Sequence, residues 1–305
     1  MMRVVLNLLV ATAAAAAAST AAACRSDDSS ASDSDSGQGT PAVVVTSTIL
    51  GDIVAELVGD DAEVQVLLPI GADPHDFSPS TRQAEAMADA DLLVLNGGGF
   101  EGGLADTIDR SADAGTPLFT AVDHADLLEG DPHIWTDPSR MVPVIAALTD
   151  ALVAAGVDEA ATRQRSEAYA TELEAVDAEL EDLLATVPEQ RRVLVTNHEV
   201  LAYFADRYGF EVIGTVIPSV TTGAAPSTAA IEALAELIDA EGVPAIFGET
   251  SSPSQLARAL ADLAGGDVAV VELFTESLGE EGSGAETYLG LLRTDAQRIH
   301  DALAP

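Results

Sequence analysis

Three of the five histidines, His75, His133 and His198, share one setting: a polar neighbour and an imidazole, in a loop just beyond a predicted strand or just before a predicted helix. Loops at the carboxyl ends of parallel strands are where open α/β sheets bind ligands. Glu276, near the end of the last predicted strand, puts a carboxylate in a similar place. Neutral imidazole nitrogens joined by one carboxylate make a four-coordinate cage that suits zinc, and the oxygen offsets part of the ion's charge. Taken singly, each histidine is better explained as an ordinary loop residue. Three in equivalent settings point to a shared site.

Other chemistries fit less well. His198-Glu199 opens like the H-E-x-x-H helix of metalloproteases, but the residue four after His198 is Ala202. The chain has no Gly-x-Ser-x-Gly elbow, and its one cysteine, Cys24, is not a candidate nucleophile. Gly97, Gly99 and Gly102 match G-x-G-x-x-G, with Asp123 beyond them. That strand is not the first of its sheet, however, and glycines that tighten a strand-to-helix turn explain the match equally well. What remains is a metal cage with no evident general base or open position, which argues for binding over catalysis.

The elements that must position these residues fall on either side of a long helix expected from about Asp158 to Val187. Tyr169, Leu173, Val176, Leu180, Leu183 and Val187 recur at steps of four and three, keeping them on one face. Acidic residues fill most other positions, and nothing breaks the pattern until Pro188. His75 and His133 precede this helix and His198 and Glu276 follow it, as a metal held between two lobes requires. Before it, strands are expected at 43–45, 64–70, 91–95 and 117–122, alternating with helices. After it come strands at 191–196, 212–217, 245–247 and 268–274, with helices at 199–208, 226–240, 252–263 and 288–303. Strands alternating with helices imply mostly parallel sheets. The expected fold is therefore α/β: two parallel-sheet lobes linked by one long helix, with the metal site in the cleft between them. Its divisions are a leader at 1–23, a tether at 24–40, a first lobe at 41–157, the linking helix at 158–188 and a second lobe at 189–305.

The chain's 305 residues exceed one comfortable core. Its formal net charge of −38, with thirteen basic residues that are all arginine, repels nucleic acid and anionic lipid headgroups. One cysteine allows no internal disulfide. Arg3, an Ala-rich apolar run and Ala21-Ala22-Ala23 before Cys24 have the form of a secretory signal. Cys24 stands where a bacterial lipoprotein signal places its lipidated residue, with Ala at the first position of the box in place of the usual Leu. The Ser- and Asp-rich stretch after it cannot bury a core and has the composition of a flexible tether.

Four further blocks carry a family resemblance. These are Gly71-Ala72-Asp73-Pro74-His75-Asp76-Phe77, Pro132-His133-Ile134-Trp135-Thr136-Asp137-Pro138, Asn197-His198-Glu199 with Tyr203-Phe204, and Leu273-Phe274-Thr275-Glu276-Ser277-Leu278-Gly279. In this order they resemble the metal-binding subunits of ABC transporters for zinc and manganese, over nearly the whole mature chain. The resemblance implies two α/β lobes joined by a rigid helix, one ion in the cleft, and His75, His133 and His198 as ligands. It implies Glu276 as the fourth, one methylene longer than the family's frequent Asp, with Glu249 as an outer or substitute oxygen ligand. His198, where manganese-preferring members tend to carry a carboxylate, favours zinc; the His-rich acidic loop of many zinc-specific members is absent. His124 is expected as a solvated loop residue and His300 as structural or exposed.

The expectation is an extracytoplasmic capture protein, not an enzyme, held by a lipid on Cys24 at the outer face of the cell membrane or free in the periplasm. As a monomer it would pass zinc, or alternatively manganese, to a permease with its ATPase. The rivals are a zinc-dependent hydrolase and a cell-adhesion protein in which metal is incidental.

Overall fold

The computed structural model describes residues 39–304 apart from 129 and 266. The leader, Cys24 and the tether through residue 38 lie outside the described residues. Val43–Val45, a run of β-branched residues, forms most of strand β1 (Ala42–Val45) and is buried, as a central parallel strand requires. β1 pairs with β2 (Glu63–Val66) on one side and β3 (Leu92–Leu95) on the other, and β4 (Leu118–Thr120) completes a parallel sheet of order β2-β1-β3-β4. The crossovers are α1 (Thr48–Val58), α2 (Thr81–Asp89) and α3 (Ala105–Ala114). Two helices follow, α4 (Pro138–Ala154) and α5 (Glu159–Leu184). The second half repeats the plan with β5 (Val193–Thr196), α6 (Ala202–Tyr208), β6 (Glu211–Thr215), α7 (Thr228–Glu241), β7 (Ala245–Glu249), α8 (Gln255–Leu263) and β8 (Ala269–Leu273). Its sheet order, β6-β5-β7-β8, is again all parallel. The chain closes with α9 (Tyr288–Leu303).

In each sheet the strand order reverses beside the first strand of that half, and the loops leaving the carboxyl ends at such a switch point form a crevice. His75 follows β2, His198 follows β5 and Glu276 follows β8, while His133 comes after β4 by way of a short 3-10 turn at Ala121–His124. The expected strand over 64–70 is shorter in the structure. Leu67 and Leu68 still donate to Val45 and Thr46, but Pro69 has no N–H with which to continue. The helix expected from Glu199 begins at Ala202, with Ala205 N donating to Leu201 O, and the Glu199 N–H bonds to Ser219 O.

Helix α5 starts at the Asp158 cap, whose carboxylate accepts from Ala161 N, and runs about 39 Å at 1.5 Å per residue. It buries Tyr169, Leu173, Val176 and Leu180 as the spacing predicts, but closes on Leu184 where Leu183 was expected. It packs against α1 and α4 of the first half and α9 of the second. One hydrophobic core runs through both halves and includes Val43, Leu148, Leu173, Leu194, Phe247 and Tyr288. Smaller clusters fill the outer side of each sheet. Polar bonds also cross between the halves: Trp135 Nε1 to Thr275 O (2.7 Å), Tyr288 OH to Trp135 O (2.6 Å) and Leu278 N to Thr48 Oγ1 (2.9 Å). Among the described residues no helix is long and apolar enough to cross a membrane.

Candidate metal centre

The loop after β2 makes a turn in which the His75 N–H donates to Asp73 Oδ1 (2.9 Å). The loop before α4 makes the same turn, with the His133 N–H donating to Asp131 Oδ1 (2.9 Å). Both are Asp-Pro-His sequences, and a short carboxylate accepting the N–H two residues on is the expected Asx-turn. The repeated tripeptide is a signal that inspection of the histidines alone passes over. The glycine turn after β3 supports the first loop: a Cβ on Gly102 would lie 3.0 Å from His75 O, and one on Gly103 2.2 Å from Phe77 O. These glycines make room for the His75 loop. Behind the second loop, buried Glu101 accepts from Thr46 Oγ1 (2.8 Å), Asn96 N (2.6 Å) and Gly97 N (3.0 Å), and Asn96 Nδ2 donates to Pro132 O (2.9 Å).

From the second half, His198 leaves β5 with its carbonyl accepting from Thr196 Oγ1 (2.6 Å). Glu276 stands on a loop held to the first half through the Trp135 indole bond to Thr275 O and through Gly71 N donating to Ser277 Oγ (2.8 Å). These loops bring one donor atom from each of His75, His133, His198 and Glu276 to within 4.8 Å of one another. Glu276 Oε1 lies 2.8 Å from His75 Nε2, 3.3 Å from His198 Nε2 and 3.7 Å from His133 Nε2, and the last two nitrogens are 3.4 Å apart. Zinc–ligand bonds of about 2.0–2.1 Å in a tetrahedron imply donor–donor edges of about 3.3–3.4 Å. The edges among His133, His198 and Glu276, at 3.3, 3.4 and 3.7 Å, lie near those values, while His75 Nε2 sits 2.8 Å from Glu276 Oε1. His133, His198 and Glu276 have at most 1% exposure.

Two carboxylates grip the far side of the imidazoles. His133 Nδ1 bonds to Asp131 Oδ1 at 2.7 Å, and His198 Nδ1 bonds to Glu249 Oε1. Such contacts fix the ring and leave Nε2 free to ligate. Glu249, at the end of β7, thus faces the back of His198 while Glu276 faces the shared centre. Asp131, which bonds His133 through both its N–H and its Nδ1, is a residue that inspection of the histidines does not single out. His124 is exposed and stacks on Phe119, and His300 bonds to Asp301 on α9, so neither joins the cluster.

The electrostatics follow from burial and these contacts. Burial alone would raise the Glu276 carboxyl, but hydrogen bonds from His133, His198 and His75 hold it well below the usual carboxylate range. Burial works to lower His198, yet Glu249 and Glu276 push it up to about 10. His133 is likewise raised, with Asp131 and Glu276 outweighing burial. These contacts favour the protonated forms of His133 and His198.

Residues 43–302 match the family model described as "ZnuA: Zinc-uptake complex component A periplasmic". The chain is 31% identical to the "Zinc-binding protein TroA" of Treponema pallidum over 284 residues, covering 88% of this chain and 91% of that one. It is 28% identical to the "Manganese-binding lipoprotein MntA" of Halalkalibacterium halodurans over 276 residues, covering 89% and 91%. The solved structure of the periplasmic zinc-binding protein TroA from Treponema pallidum superposes with a TM-score of 0.81 at 30% identity, covering 88% of this chain and all of that one.

Proposed function

Because the chain belongs to the family of periplasmic zinc-uptake complex component A, we propose that it captures a divalent transition metal outside the cytoplasm and delivers it to an ABC permease with its ATPase. We assign zinc as the cargo and His75, His133, His198 and Glu276 as its ligands. The observation that carries this reading is the buried convergence of three Nε2 atoms on Glu276 Oε1 at 2.8–3.7 Å. Three borderline nitrogens and one oxygen suit zinc better than the harder manganese ion. Four protein donors also fill the tetrahedron and leave no vertex for a reactive water, which favours carriage over hydrolysis. The relative named for manganese supports manganese as the second reading. Attachment through Cys24 is part of the proposal; the Cys24 sequence and the lipoprotein name of that relative support it. The protein acts as a monomer.

The test is a competition titration of the chelator-stripped mature protein with zinc and manganese, counting ions by native mass spectrometry. Trp135, the only tryptophan, has its ring 5.3 Å from that of His133 and reports loading by its fluorescence. One tightly held zinc that manganese does not displace is the expected result. Equal affinities would remove the zinc assignment, and no specific binding of either would overturn the whole reading.

A further inference from the structure

The two oxygens of Glu276 have different partners. Oε1 is the atom on which the three imidazoles converge. Oε2 accepts a hydrogen bond from Ser251 Oγ at 3.2 Å. Ser251 owes its place to the second sheet: the pairing of β7 with β8 extends to Thr250 N donating to Leu273 O (3.0 Å), so the residue after Thr250 stands beside the loop that carries Glu276. The hydroxyl matters because a carboxylate can bind a cation through one oxygen or both. With three imidazoles presenting one nitrogen each, the second oxygen of Glu276 is the donor nearest to hand for raising the coordination number above four. Bringing it in requires rotating the carboxylate away from Ser251. Glutamate has one more rotatable bond than aspartate, so an unheld carboxylate here would turn readily.

We propose that Ser251 is a specificity-determining positioning residue: by holding Oε2 it restricts Glu276 to one oxygen and favours a four-coordinate ion over a larger, oxygen-preferring one. This rests on the zinc-carrier reading and adds to it the residue that sets the preference. A tetrahedral ion such as zinc loses nothing by the restriction. Manganese, which favours octahedral oxygen-rich surroundings, loses a potential donor. Glu249 stands on the far side of His198, with Oε1 on Nδ1, rather than on the Nε2 side where Glu276 Oε1 lies.

The experiment compares the unaltered protein with Ser251→Ala and Ser251→Thr by zinc–manganese competition, and by the visible absorption of the cobalt-loaded forms. Cobalt(II) absorbs strongly when four-coordinate and weakly as its coordination number rises, so it reads geometry independently of affinity. Loss of one hydrogen bond to a charged group should narrow the zinc preference of Ser251→Ala by about tenfold, and its cobalt bands should weaken. Ser251→Thr, which keeps a hydroxyl, should retain both properties. An unchanged preference and spectrum in Ser251→Ala would overturn the proposal, as would an equal loss of affinity for both metals or identical behaviour of the two variants. If the unaltered protein binds neither metal, the carrier reading itself fails and the proposal falls with it. Melting of the metal-free variants checks that each is folded.

Discussion

At the scale of single residues the candidate site is a cluster of donors in which two of the three imidazoles are held from behind. His133 and His198 have carboxylates on Nδ1, whereas the buried Nδ1 of His75 has no partner among the described residues. Removing an outer partner typically costs a metal site 10–100-fold in affinity. Glu249→Ala should accordingly weaken zinc binding by about that factor, measured against a chromophoric chelator. The same carboxylates set the pH response. His198 stands at about 10, above the ordinary histidine value, so at neutral pH zinc must displace its proton. The apparent zinc affinity should rise by about tenfold per pH unit for each proton released between pH 7 and 10. Calorimetry in buffers of different ionisation enthalpy would show that proton directly. The metal-free fold should respond with the opposite sign. A raised histidine contributes stability that is fully present below about 6.5 and lost as pH rises through its folded value. The melting temperature of the metal-free protein should therefore fall between pH 7 and 10, as scanning calorimetry can follow.

At the scale of elements, α5 serves both halves at once. It meets α1 and α4 of the first half and α9 of the second. Leu173, fully buried near its middle, belongs to the core shared by the two halves. Leu173→Ala should cost about 2–5 kcal/mol of stability, seen as a lower denaturation midpoint. Zinc affinity well below that midpoint should change little, because none of the proposed ligands lies on α5. A large loss of affinity in the folded variant would mean that the helix tunes the site as well as supporting it. The identity of the helix's apolar stripe was legible from spacing alone. Its end was not: the last turn closes on Leu184, since the helix stops at Ala185 and Val187 reaches the core from beyond it.

At the scale of the whole molecule, charge and the continuous core act in opposite directions. A formal net charge of −38 produces self-repulsion that destabilises any compact state. Salt shortens its range, from a Debye length of about 30 Å at 0.01 M to about 8 Å at 0.15 M. The melting temperature should rise by several degrees over that interval, and a flat profile would show that local ion pairs such as Arg207–Asp177 (2.7 Å) dominate the electrostatics. Against repulsion stands a core that passes from one half to the other, with Trp135, Tyr288 and Thr48 bonded across. Such a join suits a carrier whose lobes shift little on loading.

Much of this protein was present in local sequence. Val43–Val45 announces a buried parallel strand, the Tyr169–Leu180 spacing a helix with one apolar face, and the setting of His75, His133 and His198 a common chemistry. These are short-range properties, because backbone period and side-chain chemistry are decided within a few residues. Which carboxylate faces the imidazoles was not decided there. Glu249 ends β7, paired with Leu273 at the end of β8, whereas Glu276 lies in the loop beyond that strand; one reaches the back of His198 and the other the centre. The same holds for Ser251 and Asp131, ordinary loop residues until folding sets them against Glu276 and His133. Their roles depend on distances between residues far apart in the chain, and only the packing of two sheets around one core determines those distances.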